Sequence, residues 1–308
     1  MGAGHGHGHA AGRTQDRSRL WLVAVVTGVV LVVEVVGALV SGSLALFADA
    51  GHMLTDIAAI LLALGASYVA TRPANERRTF GYHRAEILAA LANAVVLLGV
   101  CGYLGYAGVR RLTDPPDVAA GQMLAFAVIG LVANAASLLL LAARREDSLN
   151  MRAAFLEVLG DTFGSAAAIV AAVVIVASGW QRADPIASLL IAVLIVPRAL
   201  SLLRDTGSVL FESTPSGLDV GRMRTHLLAM DGVTDVHDLH AWTITSGMPS
   251  LSAHVTVTDT CLAQRGVGAV LDELARCARD DFGVEHATFQ VEPESHREHE
   301  DLGAADHP

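Results

Sequence analysis

Apolar residues along this 308-residue chain collect into long blocks that are separated by short polar stretches. A helix needs about 20 predominantly apolar residues to cross the hydrocarbon core of a bilayer. Six blocks reach that length, and they cover residues 20–40, 44–70, 86–108, 119–142, 154–178 and 184–203. From residue 209 onward the polarity is mixed and no such block occurs. The pattern therefore predicts six transmembrane helices followed by a separate soluble domain.

Composition agrees with a membrane protein. Hydrophobic residues make up 53 % of the chain and charged residues 17 %, whereas soluble proteins carry about 25 % charged residues. The net charge of −10 makes nucleic acid an unsuitable partner. The three cysteines, Cys101, Cys261 and Cys277, form no CxxC pair, which favours reduced, structural thiols.

The two ends of the chain differ from the rest. Met1–Ala10 is built mainly of Gly and His, so it lacks the basic and apolar regions of a signal peptide. We predict a flexible His-rich arm over residues 1–19, a transmembrane domain over 20–208, a soluble domain over 209–293 and a disordered tail over 294–308. The alternation of Gly and His in the arm indicates either a segment that gathers metal ions or a non-essential tail.

Arginine placement predicts the orientation, because loops on the cytoplasmic side of a membrane carry an excess of basic residues. All 21 basic residues are Arg. The N-terminal arm and the second and fourth loops carry Arg13, Arg17, Arg19, Arg72, Arg77, Arg78, Arg84, Arg144, Arg145 and Arg152. The first loop has none, and the third and fifth have Arg110, Arg111 and Arg182. We therefore expect a multi-pass protein of the cell membrane with both termini cytoplasmic.

The soluble region alternates between helical and strand patterns in the order α-β-β-α-β, which fits half of a split βαβ arrangement. The first strand is predicted within "GVTDVHDLHAWTIT". Simple alternation places His237 and Trp242 on opposite sides of this strand, and His240 on the same side as Trp242. Each of these histidines, taken singly, could be an ordinary strand residue.

Ionisable residues inside the apolar blocks point to chemistry, because each costs roughly 2.5–3.5 kcal/mol to insert in a membrane. The second block contains "ADAGHMLTD", with Asp49, His52 and Asp56, and the fifth contains Glu157 and Asp161. His52 and Asp56 are four residues apart, as are Glu157 and Asp161, so each pair lies on one helical face. Two helices could thus surround one ion with four donors, the number found in tetrahedral zinc sites.

Other polar residues in the spans leave alternatives open. A lone polar side chain often forms a hydrogen bond between helices, and we assign that role to Asn93 and Asn134. Glu34 either takes part in proton transfer or faces a polar interior. Asp49 either relays protons to the metal ligands or forms a structural hydrogen bond.

Four motifs in order resemble the cation diffusion facilitator family, in particular its bacterial cobalt–zinc–cadmium branch. They are "SGSLALFADAGHMLTD", "FGYHRAEILAALANA", "NMRAAFLEVLGDTFGS" and "VHDLHAWTITSG". The resemblance runs from residue 20 to residue 293. It implies a homodimeric divalent-metal/proton antiporter with six transmembrane helices and a small cytoplasmic α+β domain of ferredoxin-like fold.

The resemblance also implies ligand positions. The family builds its transport site at positions matching His52, Asp56, Glu157 and Asp161, although many zinc-transporting relatives have His where this chain has Glu157. Regulatory or interfacial metal ligands of the cytoplasmic domain match His237, His254, His286 and Glu292, and His240 is a further candidate in this domain.

One imidazole and three carboxylates in tetrahedral geometry favour Zn²⁺, with Co²⁺ and Cd²⁺ also suitable. Three carboxylates so close together repel one another, so at least one should hold a proton until metal arrives. Metal must then displace protons, which is the basis of an antiporter. We expect efflux by metal/proton exchange, with metal as substrate and possible regulatory ion, lipid as surroundings and no catalytic cofactor.

Two other functions compete with transport. An integral-membrane metalloenzyme would be expected to carry HExxH, whereas this chain has HxxxD at His52. A membrane metal sensor would be expected to carry a signalling module, and none is recognised after residue 293.

Overall fold

The computed structural model describes residues 7–142 and 149–299, and side chains over 21–142 and 151–296. Six long helices occur in this part of the chain. They are α1 (His7–Ser41), α2 (Leu44–Ala70), α3 (Ala85–Thr113), α4 (Ala120–Ala142), α5 (Leu149–Ser178) and α6 (Ala183–Leu210). Each contains a stretch long and apolar enough to cross a membrane, which confirms the six predicted spans.

The two ends differ from the sequence-based expectation. Helix α1 begins at His7, so it takes in much of the segment predicted to be a flexible arm. Beyond the Gly-His repeat this segment contains Ala, Arg and Gln, which are good helix formers. Glu294–His299 forms a short 3₁₀ helix where a disordered tail was predicted. His5 and residues 300–308 lie outside the described residues.

Many large apolar side chains of the six helices point away from the protein interior. Leu39, Leu139 and Val193 are 75 %, 77 % and 66 % exposed. Exposed apolar surface on this scale is unusual on a soluble monomer and needs a covering.

The chain divides into two compact units, which are described separately. The first draws on the chain up to Leu62 and on Ala92–Leu202, and the second on Ala63–Leu91 and on the chain from Leu203. The second unit therefore includes the segment that joins α2 to α3 as well as the predicted soluble domain. The core of the first unit contains many small residues, including Ala45, Ala48, Ala127 and Ala172. Small residues let membrane helices approach closely.

Asp184 is a buried carboxylate with a structural role in the first unit. It lies at the start of α6 and accepts hydrogen bonds from Ser43 Oγ, Leu44 N and Ala45 N at 2.5, 2.8 and 3.0 Å. The first-turn N–H groups of a helix have no partner within the helix, and a carboxylate there also suits the helix dipole. Asp184 thus caps α2.

Replacing Asp184 by alanine should destabilise the protein by about 2–4 kcal/mol, because it removes a helix cap and leaves buried N–H groups without an acceptor. Thermal unfolding of the purified protein would measure the loss. Asp184→Asn keeps one acceptor oxygen and should fall between the wild type and the alanine variant. An unchanged unfolding temperature in Asp184→Ala would contradict the capping role.

The second unit contains a small α+β domain. Its elements are α7 (Val220–Leu228), β1 (Val233–Thr245), β2 (Met248–Val257), α8 (Asp259–Arg265), α9 (Val267–Asp280) and β3 (His286–Pro293). The sheet has the order β1-β2-β3, with β1 and β2 antiparallel and β2 and β3 parallel. This arrangement confirms the predicted order of strands and long helices. The short helix α8, capped by the Thr258 side chain, was not predicted.

One face of this sheet carries the apolar core and the other carries polar side chains. Core positions pair across the strands, as in Val236 with Val255 and Ala241 with Leu251. A register shift in β1 lies between His237 and His240, which pair with His254 and Ser252 respectively. The extra residue of this β-bulge reverses the alternation. The expectation that His237 and Trp242 lie on opposite sides was therefore wrong.

Candidate metal sites

His52 and Asp56 lie one turn apart on α2, within the first unit. Both residues are buried, at 8 % and 7 % exposure, and His52 Nε2 lies 3.5 Å from Asp56 Oδ2. The spacing of four residues in a helix brings the two side chains to the same face. The structure thus places these two predicted ligands side by side.

Glu157 and Asp161 occupy the equivalent positions on α5. Asp161 is buried and interacts electrostatically with Asp49, Asp56 and Glu157. Glu157 is partly buried and interacts with Asp56 and His52. The carboxylates of α5 therefore lie within electrostatic range of the imidazole and carboxylate of α2.

Several atoms of these side chains that could bind a metal ion are buried without a hydrogen-bond partner among the described residues. They are His52 Nδ1, Asp56 Oδ2 and Asp161 Oδ1. Burying a polar atom without a hydrogen bond is costly, so such atoms are rare and need an explanation. A cation bound by these atoms would supply the missing interaction.

The ligand atoms of the four side chains lie farther apart than those of a tetrahedral site with a bound metal ion. Ligand atoms around one metal ion lie about 3–4 Å apart, given metal–ligand distances of about 2.0–2.3 Å. Among the described residues, three or more potential ligand atoms come within 4.8 Å of one another in two groups, and both groups lie in the C-terminal domain. The four residues of α2 and α5 do not form such a group. A bound ion would therefore have to draw the ligands of α2 and α5 closer together.

Arg198 of α6 also faces this site, which the sequence analysis missed. Its Nη1 atom lies 3.7 Å from Asp56 Oδ2, and its side chain is 56 % exposed. The signal in the sequence was an arginine inside the sixth predicted span. It was easily missed because arginines near a span end commonly extend to the membrane surface. Arg198 thus places a positive charge beside the Asp56 carboxylate.

Asp49 belongs to a second buried carboxylate group, together with Glu34 of α1. Ser165 Oγ donates to Glu34 Oε1 or Asp49 Oδ2, at 3.3 and 3.2 Å. Asn134 Nδ2 donates to Ser165 Oγ at 3.5 Å, which confirms the predicted hydrogen bond between helices for this residue. A Cβ atom at Gly164 would collide with the Asp49 carboxylate. The sequence thus makes room for Asp49 beside α5.

A separate cluster of metal-ligand type lies on the polar face of the C-terminal sheet. Glu292 is 3 % exposed. Its Oε1 atom lies 2.7 Å from His254 Nδ1, and its Oε2 atom lies 3.5 Å from His237 Nε2. The ligand atoms of these three residues all lie within 4.8 Å of one another. Three of the five residues predicted for this domain are thereby brought together.

His240 and His286 share the polar face but lie apart from this cluster. His240 pairs with Ser252, and His286 pairs with Ser250, further along the sheet. The His286 ring instead contacts Phe80, with ring centroids 5.8 Å apart. Neither histidine joins a group of close ligand atoms in the described part of the chain.

These features define a membrane protein with buried carboxylates on its spanning helices and a separate α+β domain that carries a cluster of potential metal ligands. Comparison with known families agrees. The model of the cation efflux transmembrane domain matches residues 20–211, and that of the cation efflux protein, cytoplasmic domain, matches residues 215–294. The chain therefore belongs to the cation diffusion facilitator family, whose members are transporters and not enzymes.

Known relatives cover nearly the whole chain. The metal cation efflux system protein CzcD of Cupriavidus metallidurans is 42 % identical over 95 % of this chain and 90 % of its own length. The zinc transporter ZitB of Escherichia coli is 41 % identical over 87 % and 84 %. The cadmium, cobalt and zinc/H(+)-K(+) antiporter of Bacillus subtilis is 37 % identical over 86 % and 86 %. Membership of this family decides against the membrane metalloenzyme.

Proposed function

We propose that this chain exports Zn²⁺, and also Co²⁺ and Cd²⁺, across the cell membrane in exchange for protons. His52, Asp56, Glu157 and Asp161 form the transport site in this proposal. The observation that supports it is a set of buried potential ligand atoms on α2 and α5 that lack hydrogen-bond partners among the described residues. The carboxylates of α5 interact electrostatically with the side chains of α2. The names of the relatives, which specify zinc, cadmium and cobalt, support the choice of ions.

Charge explains how such a site both holds and releases its ion. Three carboxylates close together in a low-dielectric region repel one another, so a dication is strongly attracted when they are ionised. Protonation removes both the charge and the ligand lone pairs, so protons and metal compete for the same atoms. Arg198 stabilises the carboxylates while metal is absent, and an arriving dication takes over its role beside Asp56.

Flux into proteoliposomes tests this function. Vesicles that contain the purified protein and a zinc-sensitive dye, with an acidic interior, should take up Zn²⁺ as protons leave. Uptake should slow when an ionophore collapses the pH gradient. A membrane metal sensor would bind Zn²⁺ without flux, and flux that is indifferent to the pH gradient would exclude proton exchange.

Orientation and assembly complete the proposal. The excess of Arg on the N-terminal side of the spans supports cytoplasmic termini. The match of residues 215–294 to a cytoplasmic domain of cation efflux proteins supports the same placement. As the resemblance implies, the protein would act as a homodimer, and lipid would surround the exposed apolar helix faces.

We also propose a metal site at His237, His254 and Glu292. Two nitrogens and one oxygen with separations of 2.7–3.5 Å to Glu292 suit a small dication such as Zn²⁺. A dication there would offset the charge of the buried Glu292 carboxylate. The positions of His240 and His286 give them no part in this site.

Asp49 is the candidate for a proton relay. Its carboxylate interacts with Asp161 on one side and reaches Glu34 through Ser165 on the other. Hydrogen-bonded groups that can accept and donate protons form a path along which a proton can move. This arrangement supports the relay over a purely structural bond, and it brings Glu34 into the same path.

Asp49→Asn should slow proton-driven Zn²⁺ uptake by about tenfold or more, because an amide cannot relay a proton and proton transfer by a positioned side chain typically contributes about 10²–10⁴-fold. Zn²⁺ affinity should stay close to that of the wild type, because Asp49 is not one of the four proposed ligands. Flux under a pH gradient and equilibrium binding measure the two effects separately. Asn134→Ala, which alters the same network without a titratable group, is the control. Equal loss in both variants would assign Asp49 a structural role.

A further inference from the structure

A second group of metal-ligand side chains lies in the C-terminal domain, apart from the residues discussed so far. It consists of His226 near the end of α7, Cys277 near the end of α9, and Asp281 directly after α9. Single atoms of these three side chains all lie within 4.8 Å of one another. His226 Nε2 and Asp281 Oδ2 are 3.5 Å apart.

The backbone holds these side chains in place. Cys277 and Asp281 are four residues apart, and Asp281 N donates to Cys277 O at 3.1 Å, so the helical turn continues between them. Both side chains therefore face the same way. The His226 ring packs edge-on against Phe282, with centroids 5.8 Å apart. Helix packing thus presents an imidazole to a thiol and a carboxylate.

The distances suit a small tetrahedral ion. Ligands at about 2.0–2.1 Å for nitrogen or oxygen, and about 2.3 Å for sulfur, lie roughly 3.3–3.6 Å from one another around zinc. The observed 3.5 Å between His226 and Asp281 falls in this range. His226 and Asp281 are about half exposed, whereas Cys277 is buried. An ion could enter from solvent and complete its coordination with water.

We propose that His226, Cys277 and Asp281 form a metal site of their own on this domain, selective for softer dications such as Zn²⁺ and Cd²⁺. A thiolate prefers these ions over hard ones, in contrast to the cluster of His237, His254 and Glu292, which offers only nitrogen and oxygen. The inference does not depend on the transport function. A metal ion bound here would link α7 to the end of α9. The relative position of these two helices would then depend on the presence of a soft metal ion.

Burial and the neighbouring Asp281 carboxylate raise the pKa of the Cys277 thiol to about 11. The thiol is therefore protonated near neutral pH in the metal-free protein. Metal binding would displace this proton, as at other cysteine-containing sites.

Cobalt titration of the purified full-length protein tests the site, because a thiolate–Co²⁺ bond gives a charge-transfer absorption band that nitrogen and oxygen ligands do not. The chain has three cysteines. We expect the band in the wild type, in Cys261→Ser and in His254→Ala, and its loss in Cys277→Ser. Pre-loading with Cd²⁺ should suppress it.

Cys277 packs in the domain core, so its replacement could disturb folding. His226→Ala and Asp281→Asn avoid this difficulty, because both side chains are about half exposed and lie outside the domain core. Each should weaken the cobalt affinity measured from the band by about 10–100-fold. Absence of the band in the wild type at saturating Co²⁺ would overturn the proposal. So would a band that persists in Cys277→Ser or keeps its affinity in both His226→Ala and Asp281→Asn.

Discussion

Replacing Asp56 or Asp161 by alanine should abolish metal transport while the protein remains folded and inserted in the membrane. Each variant removes one of four proposed ligands, and even changes in groups around metal ligands cost about 10–100-fold in affinity. Asp161 is buried, and its Oδ1 atom has no hydrogen-bond partner among the described residues. Its removal therefore breaks no hydrogen bond at that atom and relieves repulsion between carboxylates.

Flux and thermal unfolding, measured on the same preparations, separate the role of a ligand from that of a structural carboxylate. Asp161→Ala should lose Zn²⁺ flux and keep the unfolding temperature. Asp184→Ala, the matched control, should lose stability because Asp184 accepts three hydrogen bonds at the start of α2. Wild-type flux in both Asp56→Ala and Asp161→Ala would place the transport site elsewhere. If both variants fail to fold, the prediction that removing these carboxylates relieves repulsion without loss of structure is wrong.

The helices and strands could be predicted because each depends on a local pattern. Length and apolarity identify a membrane span, and alternation identifies a strand. Helical periodicity also pairs His52 with Asp56 and Glu157 with Asp161, so the shared helix face of each pair followed from spacing alone. The choice of these residues as a transport site gained further support from the family resemblance.

Features that depend on contacts between distant segments could not be predicted in this way. Arg198 on α6 lies beside Asp56 on α2, and no spacing along the chain indicates that contact. Ser165 joins Glu34 and Asp49 across three helices for the same reason. A single bulged residue in β1 overturned the alternation argument for His237. The group at Cys277 combines residues from α7 and the end of α9, so spacing indicated only the proximity of Cys277 and Asp281.

Glu157 should set the metal preference of the transport site, and Glu157→His tests this role. The substitution removes one negative charge and adds a second imidazole, which suits Zn²⁺ better than the harder Mn²⁺. We expect Zn²⁺ transport to persist, and the preference for Zn²⁺ over Mn²⁺ to rise by about tenfold, equivalent to about 1.4 kcal/mol. Glu157 interacts with both His52 and Asp56, so a histidine there can face the same ion.

The pH profile of the same variant should change as well. An unperturbed imidazole becomes protonated as the pH falls from about 8 to 5. A protonated histidine cannot bind a cation, so transport by Glu157→His should decrease at acidic pH. Glu157→Gln is the matched control, because it removes the negative charge without adding an imidazole. If Gln and His give the same selectivity, charge alone decides the preference. If selectivity and pH profile both equal those of the wild type in Glu157→His, Glu157 is not a ligand, and the ion is held by His52, Asp56, Asp161 and another group.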